Sequence, residues 1–224
     1  MNKKVITLTT LGVLTLCGGS AAYAADAPAS QTKSKTEVTL IPGSGNDPEP
    51  VVPADPNDPD PSTGETGDLS IPFASNITFG SQEIKQGDTD YYALNKNPYV
   101  QVNDTRGGAK GWTLSVAISP FTGTTDGKEL VGAELSLANG EVVTKNNQST
   151  PAEMAQAADN TYKLNKVSQP LMIAKEGEGA GAFAAVFKGT DGKNKNVKLH
   201  VPRSGVEAES YTAELTWVLS DAPV

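Results

Sequence analysis

The stretch that decides the fold is Tyr211-Thr-Ala-Glu-Leu-Thr-Trp-Val-Leu-Ser-Asp-Ala-Pro-Val224. Every second residue in it is apolar: Tyr211, Ala213, Leu215, Trp217 and Leu219. The residues between them are mostly polar, with Val218 as the exception. Because strand side chains alternate between two faces, this pattern predicts a β-strand with one apolar face, which ends at Asp221-Ala-Pro223.

A second stretch, Gly111-Trp-Thr-Leu-Ser-Val-Ala-Ile-Ser119, has the same alternation. Its apolar face would carry Trp112, Leu114, Val116 and Ile118. The chain has two tryptophans, and each stands in a Trp-x-Leu-Ser tetrad inside an alternating strand. The sequence therefore predicts two matched strands.

The amino-acid composition limits the classes of function that the chain can have. The 224 residues carry a net charge of -8, which argues against a nucleic-acid partner. Abundant Gly and Pro, with many Thr, Ser and Val, favour strands and loops over helices. The single Cys, Cys17, lies in a segment that we expect to be removed, and there is one His, so we predict no disulfide, no metal site and no cofactor.

Residues 1–24 have the three parts of a secretory signal peptide. Lys3 and Lys4 form the charged start, residues 5–17 are apolar, and Ala22-Tyr-Ala24 is a small-x-small cleavage site. The apolar run is too short to span a membrane. A lipoprotein cysteine at Cys17 is the alternative, but Leu16 is larger than a lipobox allows before it.

Residues 25–41 form the predicted mature N-terminus, with a possible first strand at Thr36–Ile41. Residues 42–68 hold seven prolines and seven acids without Lys or Arg. Such a composition predicts a long, extended, disordered linker or loop, because it has little apolar surface to bury. A wall-spanning spacer or a calcium-attracting tract is the functional alternative.

From Leu69 onward, short strands and turn signals follow one another. Residues 69–224 are therefore predicted to be a single all-β, β-sandwich-like domain of about ten short strands. Asn139-Gly140 is a hairpin signal, and Thr150–Ala158 predicts one short helix in a connection. The predicted strands are 69–73, 77–79, 91–94, 99–103, 111–119, 130–137, 141–144, 171–174, 181–187, 197–201 and 211–220.

No catalytic motif stands out, so the chain is not expected to be an enzyme. His200 reads as an ordinary exposed strand residue, and Gly177–Gly181 as a flexible turn. A local basic run has two interpretations: contact with anionic wall polymers, or a solvated hairpin kept soluble by lysines. Its members, with His200, are Lys188, Lys193, Lys195, Lys198 and Arg203.

The two tryptophan motifs resemble the paired motifs of the WxL domain. Trp112-Thr-Leu114 is the first, and the second is Tyr211-Thr-Ala-Glu-Leu-Thr-Trp-Val-Leu-Ser-Asp-Ala-Pro223. A signal peptide, an acidic tract and Leu69–Gly80 just after it agree with the family. The resemblance implies a secreted protein on the cell wall surface of low-GC Gram-positive bacteria. It implies non-covalent attachment to peptidoglycan and association with other WxL-type and membrane-anchored surface proteins.

Three hypotheses follow. The chain is a wall-binding module with a scaffold or adhesion role, a protein-interaction subunit held at the wall by a membrane-anchored partner, or, least supported, a wall-active enzyme. With no Leu-Pro-x-Thr-Gly motif and no apolar tail, covalent sortase anchoring is not expected. The motif residues either form the core or contact the wall ligand, as tryptophans stacking on sugar would; they are Trp112, Leu114, Tyr211, Trp217 and Leu219.

Overall fold

The computed structural model describes residues 32–145 and 151–223, and the chain from Leu40 onward forms one compact unit. The signal peptide predicted at 1–24 and the lipoprotein alternative at Cys17 lie outside the described residues. The strand predicted at Thr36–Ile41 is wrong, because these residues pair with no described strand. Their apolar side chains are fully open to solvent, with Val38 78% and Leu40 87% exposed.

The described chain contains fourteen strands, so the all-β prediction is confirmed. They are β1 Leu69–Ala74, β2 Thr89–Ala93, β3 Tyr99–Asp104, β4 Trp112–Ile118, β5 Thr122–Gly123, β6 Glu134–Ala138, β7 Glu141–Thr144, β8 Glu153–Met154, β9 Thr161–Lys163, β10 Gln169–Ala174, β11 Gly181–Val186, β12 Asn194–Val201, β13 Tyr211–Thr212 and β14 Leu215–Ser220. The one described helical element is a single 3-10 turn at Ala158–Asn160.

The strands form three four-stranded antiparallel sheets and one small pair. The orders are β1-β3-β11-β7, β14-β4-β10-β8 and β2-β12-β6-β9, and β13 pairs with β5. One apolar core is shared by the three larger sheets: Val102 and Phe183 come from the first, Trp112 from the second, and Leu137 from the third. The strands of all three sheets are therefore held by a common interior.

The Asn139-Gly140 hairpin prediction is wrong. The strands on either side of it, β6 and β7, lie in different sheets and do not pair with each other. Asn139 has the positive φ of 50° that a tight turn needs, so the turn signal itself is real. Gly140 is required for packing, since a Cβ there would lie 2.6 Å from Met154 Cε and 2.7 Å from Phe187 Cε1.

The helix predicted at Thr150–Ala158 is also wrong over the residues that are described. Glu153–Met154 is extended and pairs with β10, and Ala155 N donates to Leu171 O at 2.9 Å. Pairing with a neighbouring strand thus overrides the local helix signal. The strand predicted at 77–79 has no regular structure, and the predicted strand 211–220 is interrupted between β13 and β14.

The acidic tract 42–68 is not the disordered segment that its composition predicts. The two valines of the tract, Val51 and Val52, pack on the outer face of the sheet that contains β1. Val52 is 5% exposed. Two of its carboxylates are buried and accept backbone hydrogen bonds, Asp55 from Asn97 N at 2.8 Å and Asp58 from Asn76 N at 3.0 Å. Satisfied carboxylates and a small apolar contact therefore order a segment rich in proline and acid.

Gln101 on β3 fastens this tract to the sheet. Its side chain is fully buried, accepts Val51 N at 2.9 Å and donates to Glu49 O at 2.9 Å. Both groups would lose their partner if the amide were removed. The start of the tract is held separately, since Gly43 N donates to Thr105 O.

Replacing Gln101 by Ala is expected to lower the free energy of unfolding by about 1–3 kcal/mol, because the partly buried Val51 N–H loses its acceptor. Residues 42–68 should also become more sensitive to protease. Denaturant unfolding and limited proteolysis measure the two effects. Gln82→Ala, which removes an exposed amide, is the matched control and should change stability by less than about 0.5 kcal/mol. Equal effects of the two variants would contradict this role for Gln101.

Tyr99 supplies a pH-dependent contribution to stability. Its hydroxyl is buried without a hydrogen-bond partner in the described chain, and burial, with a smaller effect of the Asp58 charge, raises the pKa of Tyr99 to about 12. An unfolded tyrosine has a pKa of about 10 and so loses its proton first. Stability is therefore fully present below pH 10 and is lost as the pH rises from about 10 to 12.

In Tyr99→Phe, this alkaline loss should be smaller than in the wild type. The test compares the free energy of unfolding of both proteins at about pH 9 and pH 11, within the window of the raised pKa. Phe keeps the ring packed against Phe73, whose centroid lies 6.5 Å away, so stability at the lower pH should be equal or higher. An unchanged alkaline loss would show that Tyr99 does not ionise in this way.

Candidate functional site

The two tryptophan motifs lie side by side in the structure. β4 is a central strand that pairs with β14 on one side and β10 on the other. Because β4 and β14 are antiparallel, Leu219 lies opposite Leu114 and Trp217 opposite Val116. The sequence motifs therefore form one continuous apolar face across neighbouring strands.

Trp112 and Leu114 are fully buried, which places them in the core. The Trp112 indole Nε1 donates to Gly179 O at 2.9 Å, and its ring lies 6.3 Å from that of Phe183. Gly179 has a φ of 77°, and a Cβ there would lie 2.5 Å from Trp112 Nε1. The glycine-rich turn 177–181, predicted to be merely flexible, thus contains the polar partner of the buried tryptophan.

The second motif is only half-buried. Along 211–220, the apolar residues are partly covered, and every residue between them is exposed, so the predicted alternation is confirmed. β14 is an edge strand, and no other strand of the described chain covers its free side. Residues that would belong to the interior, such as Leu215 and Trp217, are therefore partly open to solvent.

These half-buried residues line a groove with a volume of about 1260 Å³, here called the β14 groove. Its lining comes from residues 74–84, residues 206–215 and eight further side chains: Tyr91, Ile118, Phe121, Leu130, Leu135, Leu199, Val201 and Trp217. Tyr211 and Trp217 are the two motif residues in it. Sequence reasoning missed Phe79 and Phe121, although alternation at Ile77 and Phe79 had marked that stretch as strand-like.

The charge of the groove is negative. Its lining contains no Lys or Arg and four glutamates: Glu83, Glu207, Glu209 and Glu214. At its rim, the carboxylates of Asp126, Glu207 and Glu209 lie close together. Lys128 Nζ lies 2.7 Å from Asp126 and 3.4 Å from Glu207, which raises the pKa of Lys128. The ammonium group of Lys128 offsets part of the negative charge of these rim carboxylates.

Three of the six members of the basic run contact carboxylates in the described chain. Lys188 forms an ion pair with Glu141, and Lys198 Nζ lies 3.1 Å from Asp90. His200 Nδ1 lies 2.8 Å from the same carboxylate, and this contact, with that of Lys198, lowers the pKa of Asp90. Arg203 is exposed.

Lys193 and Lys195 are the members of the run that line a cavity. It has a volume of about 330 Å³, and its other lining residues are Gly189, Thr190 and Asn196. Lys193 Nζ lies 5.8 Å from the ring centroid of Tyr92, a cation-π distance. Both lysines are exposed and line the same cavity.

Comparison with known proteins identifies the family. The model of the family described as "WxL domain surface cell wall-binding" matches residues 27–223. No curated protein and no solved structure matches the chain. Across residues 32–145 and 151–223, no helix has the length and apolar character needed to cross a membrane. The match covers most of the sequence and includes both tryptophan motifs. The chain belongs to the WxL domain family of surface cell wall-binding proteins.

Proposed function

We propose that this protein attaches non-covalently to peptidoglycan and acts at the wall as a scaffold that takes up an extended strand of protein in the β14 groove. The observations that carry the scaffold role are the unpaired edge of β14 in the described chain and the open groove lined by Leu215 and Trp217 of the same strand. Family membership supports attachment to the cell wall surface. The protein would also have a role in adhesion if the bound strand belongs to an adhesive protein.

Backbone chemistry favours a polypeptide as the occupant of the groove. Ser119 N donates to Glu214 O at 2.9 Å, so the backbone carbonyl group of Glu214 points toward β4. By the alternation of an antiparallel pair, the N–H and C=O groups of Leu215, Trp217 and Leu219 point away from β4. Another strand matches this regular row of donors and acceptors with its own backbone N–H and C=O groups.

A glycan strand in the groove is the second candidate. Trp217 and Tyr211 both line it, and aromatic rings of this kind stack on sugars. Under this alternative, the half-buried tryptophan would contact peptidoglycan directly. The two candidates differ in whether Trp217 is needed for binding to bare wall.

For wall attachment, the cavity at Lys193 and Lys195 is the better supported surface. The lysines of the run that are paired with carboxylates attract a further anion less strongly, because the carboxylates offset their positive charge. Peptidoglycan and its attached polymers carry carboxylate and phosphate groups that would suit two neighbouring ammonium groups. Retention by a membrane-anchored partner remains the alternative source of attachment.

Sedimentation with protein-stripped sacculi tests the attachment surface. The double variant Lys193→Ala/Lys195→Ala should bind several-fold more weakly than the wild type, and added salt should narrow the difference. Lys110→Ala/Lys166→Ala removes the same charge from exposed positions elsewhere and should bind like the wild type. If the wild type does not sediment with bare sacculi, direct attachment is wrong and the partner-held alternative is supported.

The same assay distinguishes the two candidate ligands of the groove. Trp217→Ala should remain folded by circular dichroism and still sediment with sacculi, because the groove is assigned to protein. Trp112→Ala, in contrast, should lose about 3–5 kcal/mol of stability as a fully buried aromatic. A folded Trp217→Ala protein that no longer binds sacculi would favour the glycan candidate.

A further inference from the structure

We infer that the strand taken up by the β14 groove is Thr36–Ile41 of a second copy of this chain, so that copies join head to tail. The inference rests on the proposed scaffold function and names its partner. It joins two features that are otherwise unexplained: an unprotected strand edge and an unpaired strand-like segment.

The edge of β14 lacks the features by which proteins protect sheet edges. Protected edges are short, charged, bulged, interrupted by proline or covered by a loop. β14 has six residues with no charge and no proline, and its pairing runs without a bulge from Leu215↔Ile118 to Ser220↔Thr113. On its outer face, Val218 is 48% exposed.

The other outer strands of the described sheets each have such protection. β1 has a bulge, and the acidic tract covers it through a hydrogen bond from Ala74 N to Pro61 O. β8 and β9 have two and three residues. β7 is four residues long and carries Glu141, and β2 carries Asp90. β14 therefore differs from every other described edge.

The groove also needs an apolar occupant. Leu215 and Trp217 on β14, with Ile77 and Phe79 from the segment 74–84, are core side chains that remain partly open. A strand paired to β14 would continue its apolar face and cover them. Six residues of strand are roughly 20 Å long, the same length as β14.

Thr36–Ile41 has the pattern that this position requires. Val38 and Leu40 alternate with Glu37 and Thr39, so one face is apolar and the other polar. Seven large apolar residues are exposed among those described, and three of them lie in this segment: Val38, Leu40 and Ile41. Ile41 would fall on the same outer face as the exposed Val218.

The charges near the segment and in the groove are opposite, which favours this segment as the occupant of the groove. Two lysines, Lys33 and Lys35, precede it, whereas the groove lining holds four glutamates and no basic residue. Among the described residues, the ion-pair partner of Lys35 is Glu37, and both side chains are exposed, so this ion pair is easily exchanged for another. One copy donates the segment and accepts another, a heterologous contact that extends into chains.

The test uses two variants of the predicted mature chain, residues 25–224, which contains no cysteine, and each variant is defective in one half of the contact. Leu40→Asp should disable the donated segment, and Val218→Lys should protect the accepting edge. In sedimentation velocity, the parent protein should form oligomers that lengthen with concentration, and each variant alone should be monomeric. An equimolar mixture should give a dimer and nothing larger, because only one functional segment and one functional edge remain.

Disulfide trapping checks the same contact without relying on loss of function. A chain with Thr39→Cys should cross-link under oxidation to a chain with Thr216→Cys or Val218→Cys, since all three lie on the outer face. Glu141→Cys, on the edge strand β7, is the matched control and should not cross-link. Circular dichroism confirms that each variant is folded, and Thr216→Lys replaces Val218→Lys if the latter is not.

A parent protein that stays monomeric, a mixture that stays monomeric, or cross-linking equal to the control overturns the inference. None of these results affects sedimentation of the wild type with sacculi, which tests wall attachment separately. Oligomers that persist in either variant would also overturn it, because the contact would then lie elsewhere.

Discussion

The pairing of β4 with two neighbours is the interaction on which the rest of the structure depends. Five of the seven residues of β4 are buried, and its apolar side chains Trp112, Leu114 and Val116 have no exposed surface. β10 covers one side of it and β14 the other. The hydrogen bond from Trp112 to Gly179 also links the turn before β11, in another sheet, to this strand. One strand thus connects the interior of the molecule with its open edge.

This arrangement explains why two similar motifs have different environments. Trp112 lies in a central strand and is covered from every direction, whereas Trp217 lies in an edge strand and is covered on one side only. The difference comes from position in the sheet, not from the local sequence. The first motif stabilises the domain, and the second lines the groove in which we place the partner.

The sequence predicted what depends on neighbouring residues in the chain. The period-two alternation gave the correct strands at 112–118 and 215–220, and the correct faces along all of 211–220, because side-chain direction is a local property of an extended chain. It did not give the exposure of Trp217, since that depends on the absence of a neighbouring strand. For the same reason, Asn139-Gly140 correctly marked a turn but not the partners of the strands that it joins.

Composition was misleading where a few residues decide the outcome. Residues 42–68 have the proline and charge content of a disordered linker, yet Val52 and the buried Gln101 order them against the β1 sheet. Composition also did not show which members of the basic run are paired, because Glu141 and Asp90 come from distant parts of the chain to pair with Lys188 and Lys198. Neither contact leaves a trace in the local sequence.

The separation of β4 and β14 along the chain has a consequence for folding. About one hundred residues lie between two strands that must pair, so this contact has a high entropic cost and forms late. Until residues 215–220 are available, β4 has one unpaired side and the core around Trp112 is incomplete. A chain that is still being synthesised therefore cannot close this sheet before its last strand is available.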